Sequence, residues 1–465
     1  MKFRIEKDTL GKKKVPSDVY YGIETMRAIE NFPVSGIKPH PKMIWATVAV
    51  KRAAAEANME IGKLNKKIGR EIVRAAKGIM EGRLQDQFVV DVFQAGAGTS
   101  HNMNANEVLA NRSLEFLGKE RGEYSVVHPH DHVNMSQSTN DVFPAAMYIA
   151  SLSLTIELIT VLKDFRNALK DKAKEFYGIL KSGRTHLQDA VPIRLDQVFN
   201  AYASSIQRGI NRIEKAKKSL REIGLGATAV GTGINTGRGY RKIAVKRLSS
   251  VTKLDLRPAE NPVEVTQNPT AVLTLSGSLR SLAVDLIKIA NDLRLMSSGP
   301  RTGLGELNLP PVQPGSSIMP GKVNPVMAEM LNMVAFEGIG NDHTISMATQ
   351  ASQLELNVMM PVMAYKILQS LDTLKSGIKA FTDRCISGIT VNSERCRELN
   401  DISLGLATII SPYIGYEAAA EIAKEAFKTG KSVKDVITEK GILSTEKLDE
   451  LLDPFTITGG KQKII

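Results

Sequence analysis

The chain has 465 residues but only two cysteines, Cys385 and Cys396, one tryptophan and 5% aromatic residues. Two cysteines at that spacing fit neither a zinc ribbon nor a CxxC redox pair. They also rule out a disulfide scaffold, so a reducing, cytoplasmic setting is expected. With so few aromatics there is no stacking platform for single-stranded nucleic acid. The net charge is +12, yet lysines and arginines are spread along the chain, and the densest patch, Lys12-Lys13-Lys14, is short. Nucleic acid is therefore not an expected partner. No run approaches the ~18 apolar residues of a membrane span. The stretch MKFRIEKDTLGKKK lacks an apolar h-region, so neither a membrane nor an export signal is expected. HExxH and P-loop motifs are missing, and GSSIM is not a G-x-S-x-G elbow. GLGATA (224–229) imitates a dinucleotide fingerprint, but a helical pattern precedes it where a strand is required.

Long helical periodicities are present. Hydrophobic content of 43% and charged content of 24% are ordinary for a folded soluble protein. Residues 1–40 mix charge, proline and glycine and read as an irregular arm. In 41–62, Ile44, Val48, Ala55 and Met59 share one helical face, and 69–82 reads similarly. From Pro144 to Tyr177 no glycine or proline interrupts after the first residue. Leu152, Ile156, Ile159, Leu162, Phe165 and Leu169 follow helical spacing there. Pro144 suits a first helical turn and Gly178 a stop. Comparable runs cover roughly 193–222, 270–298, 326–360 and 362–388. The fold class expected is all-α, an elongated multi-helix bundle with smaller N- and C-terminal helical domains. The boundaries are 1–139, 140–394 and 395–465, and the closing GGKQKII reads as a loose tail. Helices this long complete their core by association, so an oligomer is expected.

Polar loops punctuate these helices. His128, His130 and His132 in HPHDHVN have metal-like spacing. The proline and alternation suggest an extended loop, and no cysteine completes a ligand set, so no metal is expected. Gly96-Ala97-Gly98-Thr99-Ser100 runs into good helix formers, where a helix N-terminus favours an anion. Its structural alternative is an N-cap by Ser100 or Asn102. NMSQSTNDVFP (134–144) offers Ser136, Ser138, Thr139, Asn140 and Asp141, more than one cap needs. SGRTHLQDAVP (182–192) carries Arg184, Thr185, His186, Gln188 and Asp189 between two helices. Its structural alternative is capping around a buried histidine. GSSIMPGKVNP (315–325) adds Ser316, Ser317, Lys322 and Asn324.

Together these four loops resemble the active-site segments of the fumarase/aspartase superfamily, in that family's order and over essentially the whole chain. GSSIMPGKVNP is similar to its signature. Details lean toward the ammonia-lyase branch. Ala105, Thr139 and Val191 stand where class II fumarases usually differ, and TQNPTA (266–271) resembles the ammonia-lyase form. His186 and Glu329 match the fumarase pair, which keeps a fumarate hydratase open as an alternative. A non-catalytic descendant is a more distant one.

The resemblance implies deamination of L-aspartate to fumarate without a cofactor, by a homotetramer whose sites each draw on three subunits. It implies Ser316 as general base. Thr99, Ser138, Thr139 and Ser317 would hold the β-carboxylate. Thr185, Lys322 and Asn324 would hold the α-carboxylate. Thr99, Asn140 and His186 would contact the amino group, with Glu329 in support.

Overall fold

The computed structural model describes residues 2–460, so most of the tail reading, 461–465, lies outside the described residues. A hairpin of β1 (Phe3–Asp8) and β2 (Gly11–Pro16) comes first. Four helices follow: α1 (Ile23–Asn31), α2 (Pro41–Glu60), α3 (Lys66–Met80) and α4 (Thr99–Phe116). Next, α5 (Thr139–Glu175) leads into a second hairpin, β3 (Leu180–Thr185) and β4 (Gln188–Arg194), and then α6 (Leu195–Ala216). Further on come α7 (Tyr240–Thr252), α8 (Pro262–Gln267), α9 (Thr270–Met296), α10 (Val326–Gln350) and α11 (Met360–Arg384). The short helices α12 (Ser393–Asp401), α13 (Leu406–Ile414), α14 (Tyr416–Thr429), α15 (Val433–Glu439), α16 (Thr445–Leu451) and α17 (Pro454–Ile457) complete the order. The expected all-α class holds. Two compact units emerge: Met1–Ile159, Arg212–Ser281 and Glu337–Leu374 form one, and Thr160–Asn211, Leu282–Phe336 and Lys375–Ile465 the other.

In the first unit, α2 buries Ile44, Val48 and Ala55 against Ile72, Ala76 and Ile79 of α3 and Val108, Leu109 and Leu114 of α4, with Met59 packed at the margin. The predicted face is therefore the core face. Pro41 occupies the first turn of α2 and His40 caps it through Nδ1. The α1 N-terminus receives its anion from a distance: the Glu107 carboxylate accepts the Gly22, Glu24 and Thr25 amides and the Thr25 hydroxyl.

The first forty residues are not irregular. Phe3 pairs with Pro16 across the β1–β2 hairpin. Arg4 fastens it by donating to the carbonyls of Pro16, Val19 and Tyr21 at 2.8, 2.9 and 2.6 Å.

The second unit centres on aromatic and aliphatic layers. Phe176 meets Phe199 edge-on at 5.1 Å, and Phe165 meets Phe381 at 6.0 Å. Its short helices share a core of Leu406, Ile410, Ile422, Val436 and Leu448. The stretch 182–192 is not a bare loop between helices but most of the β3–β4 hairpin, with Thr185 opposite Gln188.

Helix lengths also depart from expectation. The run read as 326–360 stops at Gln350, because Asn357 turns back to donate to the carbonyls of Ala348 and Thr349. The run 193–222 narrows to α6. α5 begins at Thr139, five residues before Pro144, which sits inside the helix. Two helices, α5 and α9, are long and apolar enough to cross a membrane by length and mean hydropathy alone, although polar residues interrupt both. The most apolar window of α5 is 72% buried within the chain, as in a core helix, whereas that of α9 is 39% buried.

Candidate active site

Two groups of candidate residues lie in the first unit, and they meet. Gly96, Ala97 and Gly98 all have positive φ (80°, 56° and 96°), which turns the chain sharply into α4. Gly98 admits nothing larger: an added Cβ would lie 2.2 Å from the Phe143 ring. α4 starts at Thr99 without a side-chain cap, so neither Ser100 nor Asn102 caps it. Instead Asn102 donates to Thr139 Oγ1 at 3.1 Å. Thr99 Oγ1 donates to the Gly96 carbonyl at 2.7 Å and lies 3.2 Å from Thr139 Oγ1.

The next loop is arranged so that hydroxyl protons stay free. Ser138 Oγ accepts the Asn140 amide at 3.2 Å. Thr139 Oγ1 accepts from Asn102, which leaves its own proton for a ligand. Asn140 donates its side-chain N–H to the Ala229 carbonyl at 2.8 Å, so its amide oxygen is left to face a donor.

Beneath this loop lies a buried polar layer that sequence reading missed. Asp141 accepts the amides of Ser138, Gly226 and Thr228 at 3.0, 3.0 and 2.9 Å. Burial pushes its carboxyl up to about 6, although those amides and Lys51 pull the other way. Burial brings the Lys51 ammonium down to about 7, with Asp141 opposing. Lys51 donates to Asn134 Oδ1 at 2.8 Å, and Asn102 reaches the same oxygen at 3.3 Å. A lysine inside VAVKRAAAEAN, on the face shared by Thr47 and Asn58, was the available signal.

The other two groups lie in the second unit. His186 and Leu187 form the two-residue tip of the β3–β4 hairpin, with φ of 56° and 60°. Positive φ at both central positions defines a type I′ turn, usually built from Asn-Gly. Here two bulky residues hold it, a local strain of the kind that gathers at functional sites. His186 is exposed, not buried, and Thr185 stands beside it. Arg184 anchors the hairpin to buried Glu306 at 2.8 Å.

The signature loop is pinched shut at its base. The Gly315 amide donates to the Lys322 carbonyl at 2.8 Å, and Asn324 donates to the Gly315 carbonyl at 2.6 Å. A Cβ on Gly315 would fall 2.3 Å from the Lys322 oxygen, so this glycine is required for close approach rather than for looseness. Inside the loop, Ser316 Oγ accepts the backbone N–H groups of Met319 at 2.9 Å and Ile318 at 3.2 Å. Ser317 and Lys322 are exposed, and Asn324 is half-buried. Glu329 lies in the first turn of α10, 3.5 Å from Arg294. Among the described residues no hydrogen bond links the hairpin tip to the signature loop.

The three histidines have local duties. Residues Pro129–Val133 form a π-helical turn, not an extended loop. His128 Nδ1 accepts the His130 and Asp131 amides, His132 Nδ1 accepts the His128 amide, and His130 Nε2 lies 2.5 Å from Glu24. That carboxylate raises the His130 pKa.

A family model described as Lyase matches residues 11–340, and one described as Fumarase C C-terminus matches 406–459. An aspartate ammonia-lyase from Bacillus subtilis is 52% identical over 456 residues, covering 98% of this chain and 96% of the relative. A fumarate lyase:delta crystallin from Brucella melitensis, solved bound to cobalt, superposes with a TM-score of 0.95 at 48% identity, over 97% of this chain and 99% of that one. A class II fumarase from Schistosoma mansoni superposes almost as well, at 0.94, over 97% of this chain and 98% of that one, but is 36% identical. Backbone shape therefore does not separate these two lyases, whereas identity sets the aspartate ammonia-lyase, at 52%, above the fumarase, at 36%. With 52% of positions shared over nearly its whole length, the chain belongs to the aspartate ammonia-lyases of the fumarase/aspartase superfamily.

Proposed function

We propose that this chain converts L-aspartate to fumarate and ammonia as a carbon–nitrogen lyase, with Ser316 as the base. The observation that carries the mechanism is the setting of Ser316 Oγ. A free serine hydroxyl is far too weak an acid to serve, and its alkoxide needs local stabilisation. Two backbone N–H groups already point at this oxygen, and Lys322 closes the same loop.

The alkoxide takes a proton from Cβ. The electron pair moves into the β-carboxylate, giving an aci-carboxylate with two negative oxygens. Its collapse forms the Cα–Cβ double bond, and the C–N bond breaks to release ammonia. Pre-placed donors lower the barrier where charge develops. The free hydroxyl protons of Ser138 and Thr139, with Ser317, suit the β-carboxylate, and Thr99 joins them by turning its hydroxyl away from the Gly96 carbonyl. Thr185, Lys322 and Asn324 suit the α-carboxylate. The amide oxygen of Asn140 suits an ammonium group, since its N–H is already engaged at Ala229. Thr99 and His186 complete that end, and Glu329 supports from α10.

The working form in this reading is a cytoplasmic homotetramer. α10 supports it by presenting an apolar stripe to solvent: Met333 and Phe336 are 62% and 57% exposed, and Met347 is 53% exposed. Gly340 lies on the same helical face, with open space where a side chain would stand, which leaves room for a helix of another copy. The test is direct. Purified protein is given L-aspartate or malate, and fumarate is followed by ultraviolet absorbance. Fumarate from aspartate is expected; fumarate from malate alone would move the chain to the hydratase reading.

A further inference from the structure

The buried layer under Thr139 holds a cation that the reaction as written does not use. Lys51 is fully buried on α2, whose residues Val48 and Ala55 belong to the apolar core. Burying an ammonium is costly unless it is paired and hydrogen-bonded. Asp141 supplies the opposing charge from the same layer, and among the described residues the hydrogen-bond acceptor is Asn134 Oδ1, at 2.8 Å.

That contact fixes a chain of amide orientations. An ammonium has only donors, so Asn134 must turn its oxygen toward it, while Asn134 Nδ2 donates to the Gln137 carbonyl at 3.3 Å. The same Oδ1 then calls for donors from its other neighbours, and it receives Asn106 Nδ2 at 3.2 Å and Asn102 Nδ2 at 3.3 Å. Turned the other way, Asn102 would set oxygen against oxygen. With its NH₂ held on this side, the second N–H of Asn102 donates to Thr139 Oγ1 at 3.1 Å. A reversed Asn102 would instead accept the Thr139 proton and withdraw it from a ligand. As it stands, Thr139 Oγ1 accepts from within the fold, and its own proton is left for a carboxylate.

We propose that Lys51 is a positioning residue for the carboxylate grip: through Asn134 and Asn102 it sets the direction in which the Thr139 hydroxyl donates. The inference rests on Thr139 being a carboxylate donor of the proposed lyase. Its test is a double-mutant cycle on ligand affinity, which needs no turnover. Succinate, a four-carbon dicarboxylate with no amino group to lose, is titrated calorimetrically into the assembled protein. Thr139→Val should weaken succinate about tenfold or more, the usual worth of a hydrogen bond to a charged group. Lys51→Met, of similar length and uncharged, should weaken it about three- to tenfold when Thr139 is present and less than about twofold in the Thr139→Val background. Asn134→Leu keeps the lysine charge but cuts the chain, and should behave as Lys51→Met does in both backgrounds. A purely structural or long-range charge effect would lower affinity equally with and without the Thr139 hydroxyl, and that result overturns the inference. Full succinate affinity in Lys51→Met overturns it as well. Should Lys51→Met fail to fold, Asn134→Leu decides by the same comparison. If the unaltered protein does not bind succinate, or Thr139→Val binds it undiminished, the carboxylate role of Thr139 falls and the inference with it.

Discussion

Ser316 and Lys322 share the 315–325 loop yet are expected to fail differently when altered. Ser316→Ala removes the base and should lower kcat by about 10²- to 10⁴-fold, the usual range for general-base catalysis. Melting should barely move, because the side chain sits half-buried in a surface loop. Near-normal turnover in that variant would end the assignment of the base. Lys322→Ala removes a charge-assisted contact, worth about 1.5–3 kcal/mol, so KM for aspartate should rise about tenfold or more. An unchanged KM would remove Lys322 from the carboxylate grip.

Ser316, Lys322 and the hydroxyl residues were singled out in the sequence because they stand in polar, glycine-bounded loops that resemble the superfamily's active-site segments. Lys51 and His101 were not singled out, and Asp141 was read only as one more polar residue of its loop. Their role depends on being buried together, and burial is a tertiary property.

His101 offers a pH test. Its pKa is about 4 in the fold against an ordinary 6.5, so the unfolded chain binds more protons between those values. Stability from this residue is complete above pH 6.5 and is lost as pH falls toward 4, by roughly 3 kcal/mol in total. Urea unfolding at fixed protein concentration should therefore show wild type losing more stability than His101→Gln between pH 6.5 and 4.5. Parallel curves would show that the histidine is not buried in neutral form.

At the scale of elements, periodicity located the long helices and missed the small irregular pieces. α2, α5, α9 and α11 were visible because many turns repeat one apolar face. The β3–β4 tip was hidden because His-Leu carries no turn signal, although both residues take positive φ. The β1–β2 hairpin was hidden because three consecutive lysines masked alternation, and its order comes from Arg4 reaching back to carbonyls. The π-helical turn at Pro129–Val133 was hidden because the alternating histidines read as an extended loop, whereas backbone bonds such as Asn134 N–H to the Pro129 carbonyl, with the His128 side chain capping, wind it. Helix ends obey local chemistry, and one of them breaks the rule: Lys253 caps α7 in the left-handed region, at φ 57°. A left-handed non-glycine residue costs about 1–2 kcal/mol. Lys253→Gly should raise stability by about 1 kcal/mol in chemical denaturation, since the side chain is exposed. A loss of stability would mean that the lysine makes contacts worth more than the strain.

At the scale of the whole molecule, the candidate residues form separate sets: the Thr99–Thr139 pair, the Thr185–His186 tip and the Ser316 loop. A working site needs all three within reach of one four-carbon substrate. The apolar stripe on α10 and the 39% burial of the apolar window of α9 argue that other copies cover these helices. In the proposed assembly, sets from different subunits meet at each site, and complementation tests this without a structure of the assembly. Ser316→Ala lacks the base, and Thr139→Val lacks a carboxylate donor while keeping its shape. Each variant alone should be inactive. Equal amounts, unfolded and reassembled together, place the two sets at random, so about one quarter of sites would carry neither change. Activity should return toward that fraction, with no recovery when the variants are mixed without reassembly. If one chain supplied both sets to its own site, every site would carry a lesion, and the mixture would stay as inactive as its parts.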